Sequence, residues 1–283
     1  AARREPAPDD LSYRRSAMAT PVSSPACDNC GAALVGPYCY ACGQRALEGG
    51  ELTVKHALTS AADDVFHFES KTLRSIGLLF VPGLLTSRYL QGHRAPYTAP
   101  MKLYLAAAAI FFLCAPLAGF TLADMAANDP TGSFEKIVSG AMASRQMDRQ
   151  IFVERFDVRL QSVYTAGLFV SVFATALLLG LLFRGQRRPY GAHVVFELHY
   201  VAFLYIFTIV LGIVGKPLGI TGTPLAMFLG FAVILPYLFL ALRRVYAESN
   251  ASIAWKTAAV FVFALVFDSL VNLMTLVVTL KLV

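Results

Sequence analysis

Residues 103–123 read LYLAAAAIFFLCAPLAGFTLA, an uncharged run long enough to cross a hydrocarbon layer of roughly 30 Å at about 1.5 Å of helix per residue. A soluble core would scatter its apolar residues at helical or strand period between polar positions. Here they are continuous. Four further apolar runs follow at residues 162–183, 193–215, 224–242 and 254–280, that at 193–215 less pure because it contains His193, Glu197 and His199, and the last carrying Lys256 and Asp268. The spacing predicts an all-α polytopic membrane protein with about five transmembrane helices, spanning residues 102–283 and interrupted by an extramembrane loop at 124–160. Part of that loop, DRQIFVERFDVRLQSVY, is patterned as helix leading into the second span. Composition agrees, with 57% hydrophobic and only 15% charged residues among 283.

The net charge of +6 does not lie along one helix face. Its carriers stand beside the apolar runs, as Arg88, Arg94 and Lys102, then Arg184, Arg187 and Arg188, then Arg243 and Arg244. With the amino terminus inside, all of these fall on the cytosolic face, whereas the opposite face holds Lys216, Lys281 and a loop of nearly balanced charge. The expected location is therefore a bacterial inner membrane with a cytosolic amino terminus and an external carboxyl terminus. This placement accounts for the basic residues without a nucleic-acid partner. The polar opening, with Pro, Arg and Asp, lacks the apolar segment of a secretory signal. Residues 1–25 are expected to be a disordered tail, with Met18 as an alternative start.

Cys27-Asp-Asn-Cys30-Gly and Cys39-Tyr-Ala-Cys42-Gly are two matching knuckles. Each tight turn aims two thiolates at one point, and the glycine admits the backbone conformation this requires. Two knuckles complete a tetrahedral set, so residues 26–46 are predicted to form a zinc ribbon holding one structural ion, with no open coordination position for catalysis. A pair of disulfides fits a reducing cytosol poorly. Tyr38, Tyr40, Gln44 and Arg45 offer a surface for a cytosolic protein partner.

Residues 47–101 are apolar in patches but broken by Pro82-Gly83, which predicts amphipathic helices at the membrane interface; a helical hairpin packed on the bundle is the alternative. Arg88, His93, Arg94 and Lys102, interleaved with Tyr89 and Tyr97, are candidates for lipid headgroups or phosphate. His56, Asp63, Asp64 and His67 read as a polar helix surface. Inside the spans, ionisable groups cost roughly 2.5 to 3.5 kcal/mol each on insertion scales and need a reason. His193, Glu197 and Tyr200 share one face of the third span, with His199 further round. Asp268, Asn272, Thr275 and Thr279 form a stripe on the fifth. Both stripes are expected to face the interior, as proton or substrate path or as interhelical hydrogen-bonding groups. Depth counted along each helix argues against direct contact between Glu197 and Asp268.

CDNCG, GPYCYACGQ and the stretch TLRSIGLLFVPGLLTSRYLQGHRAPYTAPMKLYLAAAAIFFL together resemble a bacterial membrane-protein family known as domain of unknown function 3667. The resemblance runs over residues 27–113 and implies a small zinc ribbon followed by a Pro-Gly, Tyr-x-x-Gly-x-Arg, Tyr-x-x-Pro run just before the first span. Here that run is Pro82-Gly83, Tyr89, Gly92, Arg94, Tyr97 and Pro100. It implies class and topology but no reaction. Two functions are therefore carried forward. One is regulation, assembly or scaffolding through a partner bound by the ribbon. The other is a transporter or lipid-handling protein using the intramembrane carboxylates, with an oligomer as its unit. An enzyme is the weaker reading, because no nucleophile and base pair stands out.

Overall fold

The computed structural model describes residues 26–46, 70–118 and 132–282. The expected tail at 1–25, the polar residues His56, Asp63, Asp64 and His67, and the end of the first predicted span beyond residue 118 lie outside the described residues. The chain divides into two units, Ala1–Glu48 and Gly49–Val283. In the first, the described residues form two turns and two isolated bridges, Ala26 with Ala33 and Tyr38 with Arg45.

The regular elements described in the second unit are all helices: α1 Ser70–Leu79, α2 Leu84–Leu90, α3 Pro100–Ala118, α4 Ser133–Arg145, α5 Arg149–Leu182, α6 Tyr190–Gly215, α7 Pro224–Tyr246 and α8 Asn250–Leu282, with a short 3-10 turn at Arg184–Gln186. Five of them, α3 and α5 to α8, are long and apolar enough to cross a membrane. The helix ends follow ordinary capping chemistry. Asp148 accepts the Gln150 amide at the start of α5 at 2.8 Å, and Thr223 caps α7 just before Pro224, whose missing N–H costs nothing at the first helical position.

α6 is the hub. Every residue from Gly191 to Tyr200 is buried, polar ones included, because α1, α2, α3, α5 and α7 all pack on it. Small residues set the closest approach to α3, where a Cβ on Gly212 would stand 2.6 Å from that of Ala118. α8 is peripheral and turns Val262, Val266, Leu270, Leu273 and Met274 outward, a surface suited to lipid tails rather than water.

At 34 and 33 residues, α5 and α8 are about 50 Å long and exceed a roughly 30 Å hydrocarbon layer. The excess of α5 lies before its apolar run. There Phe152 and Phe156 stack at 5.9 Å and are fully buried with Val138 of α4, against Leu276 and Leu280 of α8. Arg149 holds both Glu135 oxygens, at 2.5 and 3.1 Å.

The opposite end is closed by a basic and aromatic lock. The Tyr246 ring stacks on Phe183 with centroids 3.7 Å apart, and the Arg188 guanidinium lies over it. Gln186 donates to the Tyr246 carbonyl at 2.6 Å and Arg188 to that of Val245 at 2.9 Å, satisfying acceptors that the end of α7 leaves free. Lys256 of α8 sits 4.1 Å from the Phe183 ring centre and 2.6 Å from Glu248. Lys256 first, then the Ser252 hydroxyl, hold Glu248 below its ordinary carboxylate value of 4.5. A depressed carboxyl contributes stability above its ordinary value and loses it as pH falls through the lowered one. Thermal stability is thus expected to decline below about pH 4.5, and Lys256→Met to flatten that decline; differential scanning fluorimetry across acid pH checks both.

Candidate metal centre and intramembrane polar cavity

In the first unit the two knuckles repeat the same backbone. The Cys27 amide donates to Ala32 and that of Cys39 to Gln44, while Gly31 and Gly43 close back on Cys27 and Cys39, all at 2.8 Å. Both glycines have positive φ, 75° and 72°, and a Cβ on either would meet nothing, so the requirement is conformational rather than steric. The repeat brings the four sulfurs within 4.8 Å of one another. Cys27 and Cys42 are 3.7 Å apart, and Cys30 and Cys39 are 3.5 Å apart. A tetrahedral ion with sulfur arms of about 2.3 Å has edges of about 3.8 Å, so four thiolates in this arrangement could hold a metal ion. No disulfide joins them.

Around them, Val35, Tyr38 and Tyr40 are exposed. Gln44 differs from expectation. It is buried, its carbonyl receiving the Cys39 amide, so it supports the second knuckle and offers no exposed surface. Val35, 89% exposed, is an apolar surface residue that the sequence reading passed over.

In the second unit, α1 and α2 form a hairpin that turns at Pro82-Gly83 and packs on α6 and α7. The Tyr237 hydroxyl donates to the Leu79 carbonyl at 2.6 Å, and Phe80 meets the edge of Phe203 at 5.9 Å. Arg244 donates to the Pro82 carbonyl. The basic belt is largely turned inward on its own aromatics. Arg88 donates to the Tyr97 hydroxyl at 3.0 Å and Arg94 lies 5.2 Å from the Tyr89 ring centre. Gly92 between them has φ 98°. Thr98 is tied back to α1 by its amide on Ser75 at 3.0 Å and its hydroxyl on Thr72 at 3.1 Å. The Tyr, Gly and Arg run thus works as a clamp feeding the chain into α3. His93 and Lys102, both half-buried, flank it.

Residues 69–112 match the model of a family described as Protein of unknown function (DUF3667). The match spans this hairpin, its clamp and most of α3, which bears out the resemblance to DUF3667 over those residues; the ribbon lies outside them. A search of curated proteins and a search of solved structures each return no match.

The polar residues of the spans divide into three settings. His193 is buried and bonds the Tyr246 hydroxyl through Nδ1 at 2.7 Å, within the basic lock. His199 points the other way, with Nδ1 3.0 Å from the Thr86 hydroxyl of the hairpin and its ring against Tyr89. Glu197, about one helical turn on from His193, lines a cavity of about 40 Å³ shared with Tyr200, with Ser171 and Thr175 of α5, and with Asp268 of α8. Glu197 is 2% exposed and its Oε1 has no hydrogen-bond partner.

Glu197 and Asp268 therefore line one cavity, a lateral relation that counting depth along each helix did not address. Four helices converge there. Asn272 is a second correction, exposed on the outer face of α8 rather than interior. A Cβ on Gly167 of α5 would stand 2.5 Å from the Val271 side chain, with Thr275 next nearest, so α8 is rolled onto that side and Asn272 faces outward. Thr275 and Thr279 are buried as expected. Ser171 and Thr175 were missed, although their spacing of four within an apolar run marks one helix face.

Proposed function

We propose that this chain is a multi-pass protein of a bacterial inner membrane whose amino-terminal ribbon, cytosolic and built on one structural zinc ion, docks a cytosolic protein for a regulatory, assembly or scaffolding role. The observation that carries the reading is the closed set of four sulfurs beneath exposed Val35, Tyr38 and Tyr40. Four thiolates leave no site for substrate, and a reducing cytosol keeps them available to zinc. Orientation is argued from the basic lock: Arg184, Arg187, Arg188, Arg243 and Arg244 gather at one end of the bundle, which the positive-inside rule assigns to the cytosol. At that end the hairpin sits among membrane-spanning helices. Its Phe80 meets α6 at Phe203, about 20 Å along the helix from Tyr190. That depth supports a hairpin embedded in the hydrocarbon layer from its cytosolic side, with Arg88, His93, Arg94 and Lys102 near lipid headgroups.

The docking role is tested with a photo-crosslinker at Tyr40 of the full-length chain in its native membrane. The expected result is one crosslinked species of discrete mass that disappears in Val35→Ser and in Cys39→Ser with Cys42→Ser. A crosslink unaffected by these changes, or none, contradicts the role.

A second reading, handling of an ion or lipid by the bundle, is favoured by one observation, the two carboxyl side chains brought to a single cavity.

A further inference from the structure

We infer that the cavity between α5, α6, α7 and α8 binds a small monovalent cation through oxygen, either a sodium ion or a hydronium. The inference deepens the second reading above by naming its substrate class, and it rests on that reading of the bundle.

The polar groups lining the cavity are the carboxyls of Glu197 and Asp268 and the hydroxyls of Ser171, Thr175 and Tyr200. No sulfur or imidazole is among them, a donor set that selects hard cations. The remaining walls are aliphatic and aromatic, from residues such as Val260, Phe261 and Leu204. No lysine, arginine or histidine lines it. The nearby basic side chains have other partners: Lys256 is held by Glu248 at 2.6 Å, Arg188 by the Val245 carbonyl at 2.9 Å, and the His193 ring by Tyr246 at 2.7 Å. Two carboxyl groups in a low-dielectric interior cannot both carry charge uncompensated. Glu197 is the telling member, since Oε1 is buried, faces the cavity and has no hydrogen-bond partner. A core group serving only to join helices would spend that oxygen on a neighbour.

Size narrows the ligand. About 40 Å³ admits an ion with one or two waters, each needing on the order of 10 to 15 Å³ by the same measure. It excludes a lipid headgroup or an organic substrate. Magnesium, which keeps several of its waters, and calcium, which seeks six to eight oxygens, suit it poorly. Glu197 lies about 10 Å along α6 from Tyr190, and Asp268 about 18 Å along α8 from Lys256, so the two carboxyls bracket the cavity at different levels.

The test uses the purified full-length chain in detergent, read in two ways. Melting temperature is compared in sodium, potassium, magnesium, calcium and choline chloride at matched ionic strength, and protonated-carboxyl absorption is followed by infrared difference spectroscopy against pH. If sodium is the ligand, melting rises in sodium over choline, and the rise is lost in Glu197→Gln and in Asp268→Asn. If hydronium is the ligand, melting ignores sodium, but the broad infrared continuum of a protonated water rises on acidification together with the carboxyl band, and both are missing from the same variants; a carboxyl band alone, the ordinary titration of a buried acid, counts against it. Neither response, or a response to magnesium or calcium alone, overturns the inference. Should a carboxyl variant fail to fold, Ser171→Ala and the wild-type titrations still decide it. Reconstitution in liposomes separates the two claims: cation binding without flux upholds the site and sinks the transport reading, whereas flux without cation binding sinks the site alone.

Discussion

Changing Cys39 and Cys42 together to serine is expected to strip the metal and unfold residues 26–46, while leaving the helical bundle inserted. The ribbon has almost nothing else to hold it. Among its described residues only Cys27, Cys39 and Gln44 are buried, and the two bridges are isolated. Metal binding in such small units supplies the folding free energy, with apparent values of roughly 10 to 16 kcal/mol for structural zinc peptides near neutral pH. Two remaining thiolates cannot close a tetrahedron. Protease cleavage within 26–46 should therefore become rapid in the variant and in chelator-treated wild type, with the fragment holding the helices from Ser70 onward persisting. Cleavage at wild-type rates in the variant contradicts the metal-dependent fold. The bundle is a separate unit with its own core, in which Leu103, Leu179, Leu198 and Leu242 are fully buried.

The second large effect is expected at Gly83. Its φ of 68° is left-handed, and a Cβ there would stand 2.8 Å from the Ala241 carbonyl oxygen and 2.9 Å from its Cα. Both atoms belong to the backbone of α7 and cannot step aside. Gly83→Val meets an unfavourable backbone conformation and a collision at once, for a loss of about 3 kcal/mol or more. The hairpin is forced off α7, undoing the Tyr237 bond to Leu79. A melting temperature lowered by several degrees, with reduced membrane abundance, is the expected result. Gly77→Ala is the control: it lies inside α1, its Cβ would meet nothing, and alanine in place of glycine favours a helix by about 1 kcal/mol. If Gly83→Val melts like wild type, the hairpin is not seated as described.

The spans were legible because a hydrocarbon layer demands unbroken apolar runs, and nothing else in a chain of this size imitates them. The run ending at Gly215 and the one beginning at Pro224 end and begin where α6 and α7 do. The cysteine knuckles were legible for the same kind of reason, since two thiolates and a glycine at fixed spacing have little other use. What sequence could not supply was the angular and lateral relation between helices. Depth counted along α6 and α8 separated Glu197 from Asp268, yet lateral packing on α5 and α7 gives them a common cavity. Stripe arithmetic placed Asn272 with Asp268, but the contact at Gly167 rolled it outward. Ser171 and Thr175 became significant only once their neighbours were known. The pre-span motif carried its meaning in pairs, Arg88 with Tyr97 and Arg94 with Tyr89, that spacing alone does not assign.

The central claim is a membrane bundle carrying a ribbon organised by one zinc ion. Elemental analysis of the detergent-purified full-length protein tests it most directly, beside the Cys39→Ser, Cys42→Ser variant. The account predicts about one zinc per chain, absent from the variant. Zinc that persists in the variant, or a wild-type protein without zinc, contradicts it.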